Sequence, residues 1–170
     1  LANGEFQTVG STEGTSDYYA YLEGIYTFRN PEAVNINVFS TAGIDYSENQ
    51  DIVALTVDMV EEERADSVYI LTSPEGVTYN STTQLTGLGF SSVSTFSAED
   101  MVDLLDVADL DSNYTATYWP WIQSRDTENS LNVWLPPTYE VVRNIALTDN
   151  VSFPWFASAG YTRGIVNAIK

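Results

Sequence analysis

Apolar residues recur along this chain at two different periods, and the order of those periods predicts its elements. In TSDYYAYLEGIYTF, Tyr18, Tyr21, Leu22 and Ile25 fall at helical spacing, with Asp17 as the expected N-cap. AVNINVF then switches to period two, setting Val34, Ile36 and Val38 against Asn35 and Asn37, which predicts a strand. A second helix follows in SENQDIVALTVDMVEEERADS. Ser47 and Gln50 stand at capping-box spacing, and Ile52, Val53, Leu55, Met59 and Val60 form a broad apolar stripe. VYILT is short and continuously apolar, the pattern of a strand buried on both faces.

The stretch from 74 to 96 is rich in Gly, Ser and Thr and predicts a surface excursion with a short hairpin. SAEDMVDLLDVADL restarts a helix, with Ser97 and Asp100 at capping-box spacing and Met101, Val102, Leu104 and Leu105 turned inward. NYTATYWPWIQ, β-branched and aromatic, predicts a strand ending near Pro120. Pro137 suits a first helical turn in PPTYEVVRNIALTDN, whose Val141, Val142, Ile145 and Ala146 are expected to face a core. GIVNAIK closes as a strand. Helices interleaved with strands in this way predict an α/β fold, a mostly parallel sheet flanked by helices on both faces. Without an internal repeat or a linker, residues 1–170 read as a single domain.

Composition narrows the function. The chain contains no histidine, so a Ser-His-Asp triad, an HExxH zinc site and phosphohistidine chemistry are all excluded. It contains no cysteine, which removes disulfides, zinc fingers and thiol catalysis. Net charge is -18 with only six basic residues, so nucleic acid and anionic membranes are poor partners. No apolar run approaches the ~20 residues that span a bilayer, so no membrane insertion is expected. The chain starts at Leu1 without a signal peptide and stops inside an apolar run at Lys170, which reads as an excised piece of a longer protein. The sequons at Asn80, Asn113 and Asn150 read as unused.

Five local constellations are candidates for chemistry or contact. DLDSN at 109–113 begins like a calcium loop, but Tyr114 stands where the turn wants Gly and Pro120 where a bidentate Glu belongs. It reads as a solvated helix end. EEER at 61–64 reads as a solvated face at a helix terminus. Among 24 acidic residues some carboxylate pair is always near another, which leaves a glycosidase-like arrangement open but unspecific. Trp119, Trp121, Trp134 and Trp155 are candidates for a carbohydrate platform, Trp119 and Trp121 sharing one face if their segment is a strand. In ASAGYTRG the small side chains permit close backbone approach, Gly160 and Gly164 permit open geometry, and Trp155 can anchor a contact.

The last stretch, ALTDNVSFPWFASAGYTRGIVNAIK, closely resembles the end of the subtilisin-like domain of phage contractile tail sheath proteins. The matching elements are Thr148 and Asp149 closing a helix, Trp155, the step Ser158-Ala159-Gly160, Arg163, and Gly164 before a strand. Pro136, Pro137 and Arg143 match the family's helix start, and Leu1 and Gly4 its opening Leu-x-x-Gly. Thr138 replaces a usual small residue, and Ser158 a usual proline. The resemblance is strong over about 113–170 and weaker before. It implies a subtilisin-like topology without catalysis or cofactor, and a structural subunit of a homo-oligomeric helical array. Other sheath subunits, the tail tube protein, and baseplate and tail terminator proteins are the implied partners, in a virion tail assembled in the host cytoplasm. Contraction would move subunits mainly as rigid bodies from a kinetically trapped extended state, driving the tube through the host envelope. A bacterial contractile injection sheath shares this physics. A tail-borne carbohydrate-binding domain is the alternative of a different class.

Overall fold

The computed structural model describes residues 16–41, 43–44, 46, 49–73, 77–78, 93–94, 98–126, 128–153, 155–161 and 164–166. The chain divides into two compact units. One comprises Leu1–Pro74 and Ala108–Thr117, the other Glu75–Val107 and Tyr118–Lys170. The described residues are α/β, with a parallel sheet in the first unit and antiparallel hairpins in the second.

The first unit opens with α1 (Ser16–Thr27), which buries Tyr18 and Ile25 two turns apart. Asp17 lies within the helix, because the helix already runs from Ser16. Residues 34–38 show the expected alternation, half-buried Val34, Ile36 and Val38 against exposed Asn35 and Asn37, but only β1 (Val38–Phe39) pairs in a ladder. The helix α2 (Gln50–Asp58) takes Asn49 at its N-cap position, so Gln50 is its first residue; Ser47 lies outside the described residues. α2 continues as a π-turn over Met59–Arg64, closed by a hydrogen bond from the Ala65 amide to the Val60 carbonyl. Its buried side chains include Ile52, Val53, Met59 and Val60 as the stripe predicts, while Leu55 is only half-buried.

β2 (Val68–Leu71) lies between β1 and β5 (Thr115–Thr117), parallel to both. The β1-to-β2 connection runs through α2, the helical crossover that parallel neighbours require. Tyr69, Ile70 and Leu71 are buried, as the continuous apolar run predicts, whereas Val68 at the start of the strand is exposed. Phe28, Phe39 and Tyr69 form an aromatic line, with ring centroids 5.4 and 6.2 Å apart. The Tyr69 hydroxyl shares a buried 2.7 Å hydrogen bond with the Thr41 hydroxyl.

Arg64 departs most from expectation. The solvated face read into EEER holds for Glu62 and Glu63, but the Arg64 side chain is wholly buried. Its guanidinium donates to the Phe28 carbonyl at 2.6 Å, the Val34 carbonyl at 2.9 Å and Asp66 Oδ1 at 2.9 Å. These bonds tie the end of α1, the approach to β1, the end of the π-turn and the approach to β2. Nearby, Arg29 pairs with Glu63 on the surface and stacks over the Tyr26 ring at 4.9 Å.

In the second unit, β3 (Val77–Thr78) and β4 (Val93–Ser94) pair antiparallel, the short hairpin expected of the excursion; most of 74–96 lies outside the described residues. α3 (Ala98–Val107) buries Met101 and half-buries Leu104 and Leu105, but Val102 is exposed because it falls on the rim of that stripe. Ser97 lies outside the described residues. The strand expected up to Pro120 ends earlier, with β5, and the cis peptide at Trp119-Pro120 lies between it and β6 (Ile122–Asp126). β6 pairs antiparallel with β7 (Leu131–Leu135), a hairpin the hydrophobic pattern missed. Its turn is held by Asp126, whose Oδ1 accepts from the Glu128 amide at 2.9 Å and whose Oδ2 accepts from the Asn129 side chain at 2.6 Å. Those bonds, that of the Asn129 side chain foremost, hold the Asp126 carboxyl below its ordinary value. α4 (Pro137–Val151) starts with Pro137 at its first position, as predicted. Gly164 to Val166 lie outside any strand, and the rest of the expected closing strand is outside the described residues.

Two outcomes follow from the first unit. Arg64→Ala strands two buried carbonyls and is expected to cost about 3 kcal/mol, whereas Asp66→Asn, with Asp66 40% exposed, costs about 1 kcal/mol or less; urea unfolding followed by circular dichroism measures both. Burial pushes the Tyr69 phenol up to about 12, and the hydrogen bond with Thr41 offsets this only in part. Its folded value lies above its ordinary 10.0, so its stabilisation is complete below that pH and is lost as pH rises toward the folded value. Stability is expected to fall by about 2 kcal/mol across that window, and less steeply in Tyr69→Phe, in alkaline unfolding titrations.

Candidate functional site

α4 has its polarity reversed relative to the sequence pattern. Its buried residues are Pro137, Thr138, Glu140, Asn144 and Thr148. Glu140, Asn144 and Thr148 are successive i+4 neighbours, so they form one polar row on the inner face. Val141, Val142 and Ile145, expected to face the core, are only half-buried, and Ala146 is exposed. The periodicity was correct for a helix but put the wrong row inside. The polar row is partly self-satisfied. Thr148 Oγ1 donates to the Asn144 carbonyl at 2.8 Å, and Arg143 Nη1 donates to Glu140 Oε2 at 3.0 Å.

Several large apolar side chains stay outside, along with the exposed Arg143, Asp149 and Asn150. Leu147 and Val151, one turn apart on α4, are both exposed. The helix closes with the Ser152 amide donating to the Thr148 carbonyl at 2.8 Å. Beyond it Phe153 and Trp155 stack in parallel, ring centroids 4.8 Å apart. Trp155 remains 77% exposed, Phe156 is exposed, and Tyr161 is 93% exposed. A polar row inside and large apolar side chains outside is the arrangement of a surface that meets something.

The eight residues of the sequence motif fall as follows. Thr148 is buried under the inner face of α4 and Asp149 is exposed beside it. Trp155 stands on the exterior, Ser158 is half-buried, and Ala159 and Gly160 are exposed. Gly160 has φ +88°, a left-handed conformation that favours glycine. The Gly164 amide donates back to the Gly160 carbonyl at 2.9 Å. A Cβ on Gly164 would lie 3.0 Å from the Ala159 Cα and 3.2 Å from the Ser158 carbonyl oxygen, so the small-residue step and Gly164 define one tight backbone crossing. Arg163 lies outside the described residues, as do Leu1, Gly4 and Lys170.

Chemistry-bearing groups are sparse. Among the described residues no three His, Cys, Asp or Glu side chains come together to hold a metal, and Asp109–Asn113 ends in a turn in which the Tyr114 amide donates to Ser112 Oγ. Trp119 and Trp121 flank Pro120 outside any strand, so the shared-face argument for a carbohydrate platform does not apply to them; Trp134 is half-buried on β7. No helix among the described residues is long and apolar enough to cross a membrane. In the first unit an apolar cavity of about 700 Å³ lies between α1 and β1, lined by Tyr21, Ile25, Phe28, Val38 and Phe39. Among the described residues its lining includes no carboxylate or base.

No protein-family model matches the chain. It is 24% identical over 182 aligned positions to the tail sheath protein of Vibrio phage KVP40, an alignment covering 99% of this chain and 26% of that relative. It is 39% identical over 64 positions to the tail sheath protein of Enterobacteria phage T4, covering 37% of this chain and 9% of that relative. The chain thus spans about a quarter of the length of the first relative, and its alignment to the second covers 9% of that protein. Along nearly its whole length, the chain is similar to a phage tail sheath protein.

Proposed function

We propose that this chain is the α/β core of a contractile tail sheath subunit, a structural protein that polymerises around a tail tube and shortens to drive it through a host envelope. Similarity to two phage tail sheath proteins supports the structural role. The observation that carries it within the structure is the exposed apolar exterior of α4 and its aromatic turn, in a chain without histidine or cysteine. Surface of this kind is used in contact rather than in bond-making.

In this reading the motif from Thr148 to Gly164 shapes a subunit contact, residues 1–170 are the core domain of a longer chain, and the fold is a subtilisin-like layer with helices on both faces. β1 and β5 are the two outer strands of the three-stranded sheet among the described residues, and the apolar cavity lies beside β1. An unpaired strand edge next to an apolar cavity suits addition of an extended arm from a neighbouring subunit, where backbone hydrogen bonds supply affinity. Tube, baseplate and terminator proteins are the further partners, and the virion tail, built in the host cytoplasm, is the location. A bacterial injection-system sheath fits the same physics. The exposed Phe153–Trp155 pair is the one feature that favours a carbohydrate platform instead.

Negative-stain microscopy of the intact subunit is expected to show tubes, while residues 1–170 alone sediment as a monomer; stable rings from the short chain, or no tubes from the intact one, count against the proposal. Trp155→Ser is expected to impair tube formation while shifting unfolding by about 0.5 kcal/mol or less, as for an exposed side chain. A glycan array that captures the wild type and not Trp155→Ser would favour the carbohydrate alternative.

A further inference from the structure

A second cavity, of about 340 Å³, lies within the second unit, and its walls and floor differ in kind. Trp119, Pro120, Ile122 and Ile145 supply apolar walls, and Glu140 and Asn144, one helical turn apart, supply the polar groups. Both polar residues are more than nine-tenths buried. Glu140 Oε2 accepts from Arg143, while Oε1 has no hydrogen bond among the described residues. Asn144 Oδ1 is buried with no hydrogen-bond partner. A carboxylate oxygen with no hydrogen bond among the described residues and an orphaned amide oxygen, lining one cavity with an indole ring, call for a planar, charged donor. A guanidinium meets that requirement, because its N–H fork serves two acceptors while its face stacks on an aromatic ring.

The chain has six basic residues, of which Arg163 and Lys170 lie outside the described residues. Among the described residues, Arg29 pairs with Glu63, Arg64 with Asp66 and Arg143 with Glu140, whereas Arg125 is exposed on β6 without an acidic partner. Its own copy cannot use it in this cavity. β6 pairs with β7 in unbroken register, and Ile122 lines the cavity. Side chains alternate between faces along a strand, so Arg125, three residues on, points to the other face of the hairpin. The turn beside it is held by the Asp126 bonds, so the arginine is presented on an ordered support.

We propose that the Glu140–Asn144 cavity receives the Arg125 side chain of a neighbouring copy of this chain. The partner's identity rests on the sheath reading, in which copies carrying a net charge of -18 must be brought together. A buried acceptor pair on one copy and an unpaired arginine on the next would turn part of that repulsion into a specific contact.

The cavity is tested on this chain alone by titrating N-acetyl-arginine methylamide, and separately its uncharged citrulline analogue, while following the Trp119 indole N–H by NMR. Saturable shifts with arginine and none with citrulline are expected. Glu140→Gln should weaken binding by about tenfold, as one charge-assisted hydrogen bond is lost, and Asn144→Asp, which adds a charge, should tighten it. Equal responses to the two analogues, or no response to either variant, overturn the cavity's assignment. The donor is tested in the intact subunit. Arg125→Glu should suppress tube formation that Arg125→Lys largely retains, and normal tubes from Arg125→Glu overturn the copy-to-copy contact. Failure of the wild type to form tubes sinks the sheath reading instead, and the titration separates that outcome from failure of the cavity.

Discussion

The first unit depends on burying one guanidinium. Removing Arg64 from water is unfavourable unless its donors find acceptors, and the acceptors that meet it are the Phe28 and Val34 carbonyls and the Asp66 carboxylate. Two of these are backbone atoms, so satisfying the charge also fixes where α1 ends and how the chain approaches β1. An ion pair that is buried is weak ground for stability by itself. A buried group that must gather three separated segments is a strong ground for a single geometry. The Arg29–Glu63 pair one residue earlier joins the same regions, but it is exposed and contributes little.

The second unit is organised by an inversion of polarity. α4 turns Glu140, Asn144 and Thr148 inward and leaves Leu147, Val151 and the aromatic turn outside. An isolated domain gains nothing from such an arrangement, since it forgoes apolar burial and carries polar desolvation in its place. The arrangement is reasonable when the outward face acquires its burial in an assembly. Past the helix, Gly160 supplies a left-handed turn and Gly164 a close crossing against Ala159 and Ser158.

Much of the architecture was legible in the local pattern. The order of helices, the central strand with its buried Tyr69, Ile70 and Leu71, and the proline start of α4 all follow from periodicity and backbone preference. Arg64 was legible in retrospect, because it continues the i+4 row of Thr56 and Val60, both buried; its charge argued for the surface and hid the row. The β6–β7 hairpin was obscured by Gln123, Ser124, Arg125 and Asp126, which carry almost no apolar alternation. Its turn signal was the Asp126 side chain capping the next amides.

The amino-acid sequence alone determined which chemistry is impossible, how acidic the molecule is, and the succession of helix and strand, because these depend only on composition and on neighbours a few positions apart. The tertiary structure decided which charges go inside, which helix face stays bare, and that Arg125 stands apart from the cavity its own hairpin helps to line. Those outcomes depend on contacts between residues distant along the chain, such as Arg64 with Phe28, and no local period encodes them.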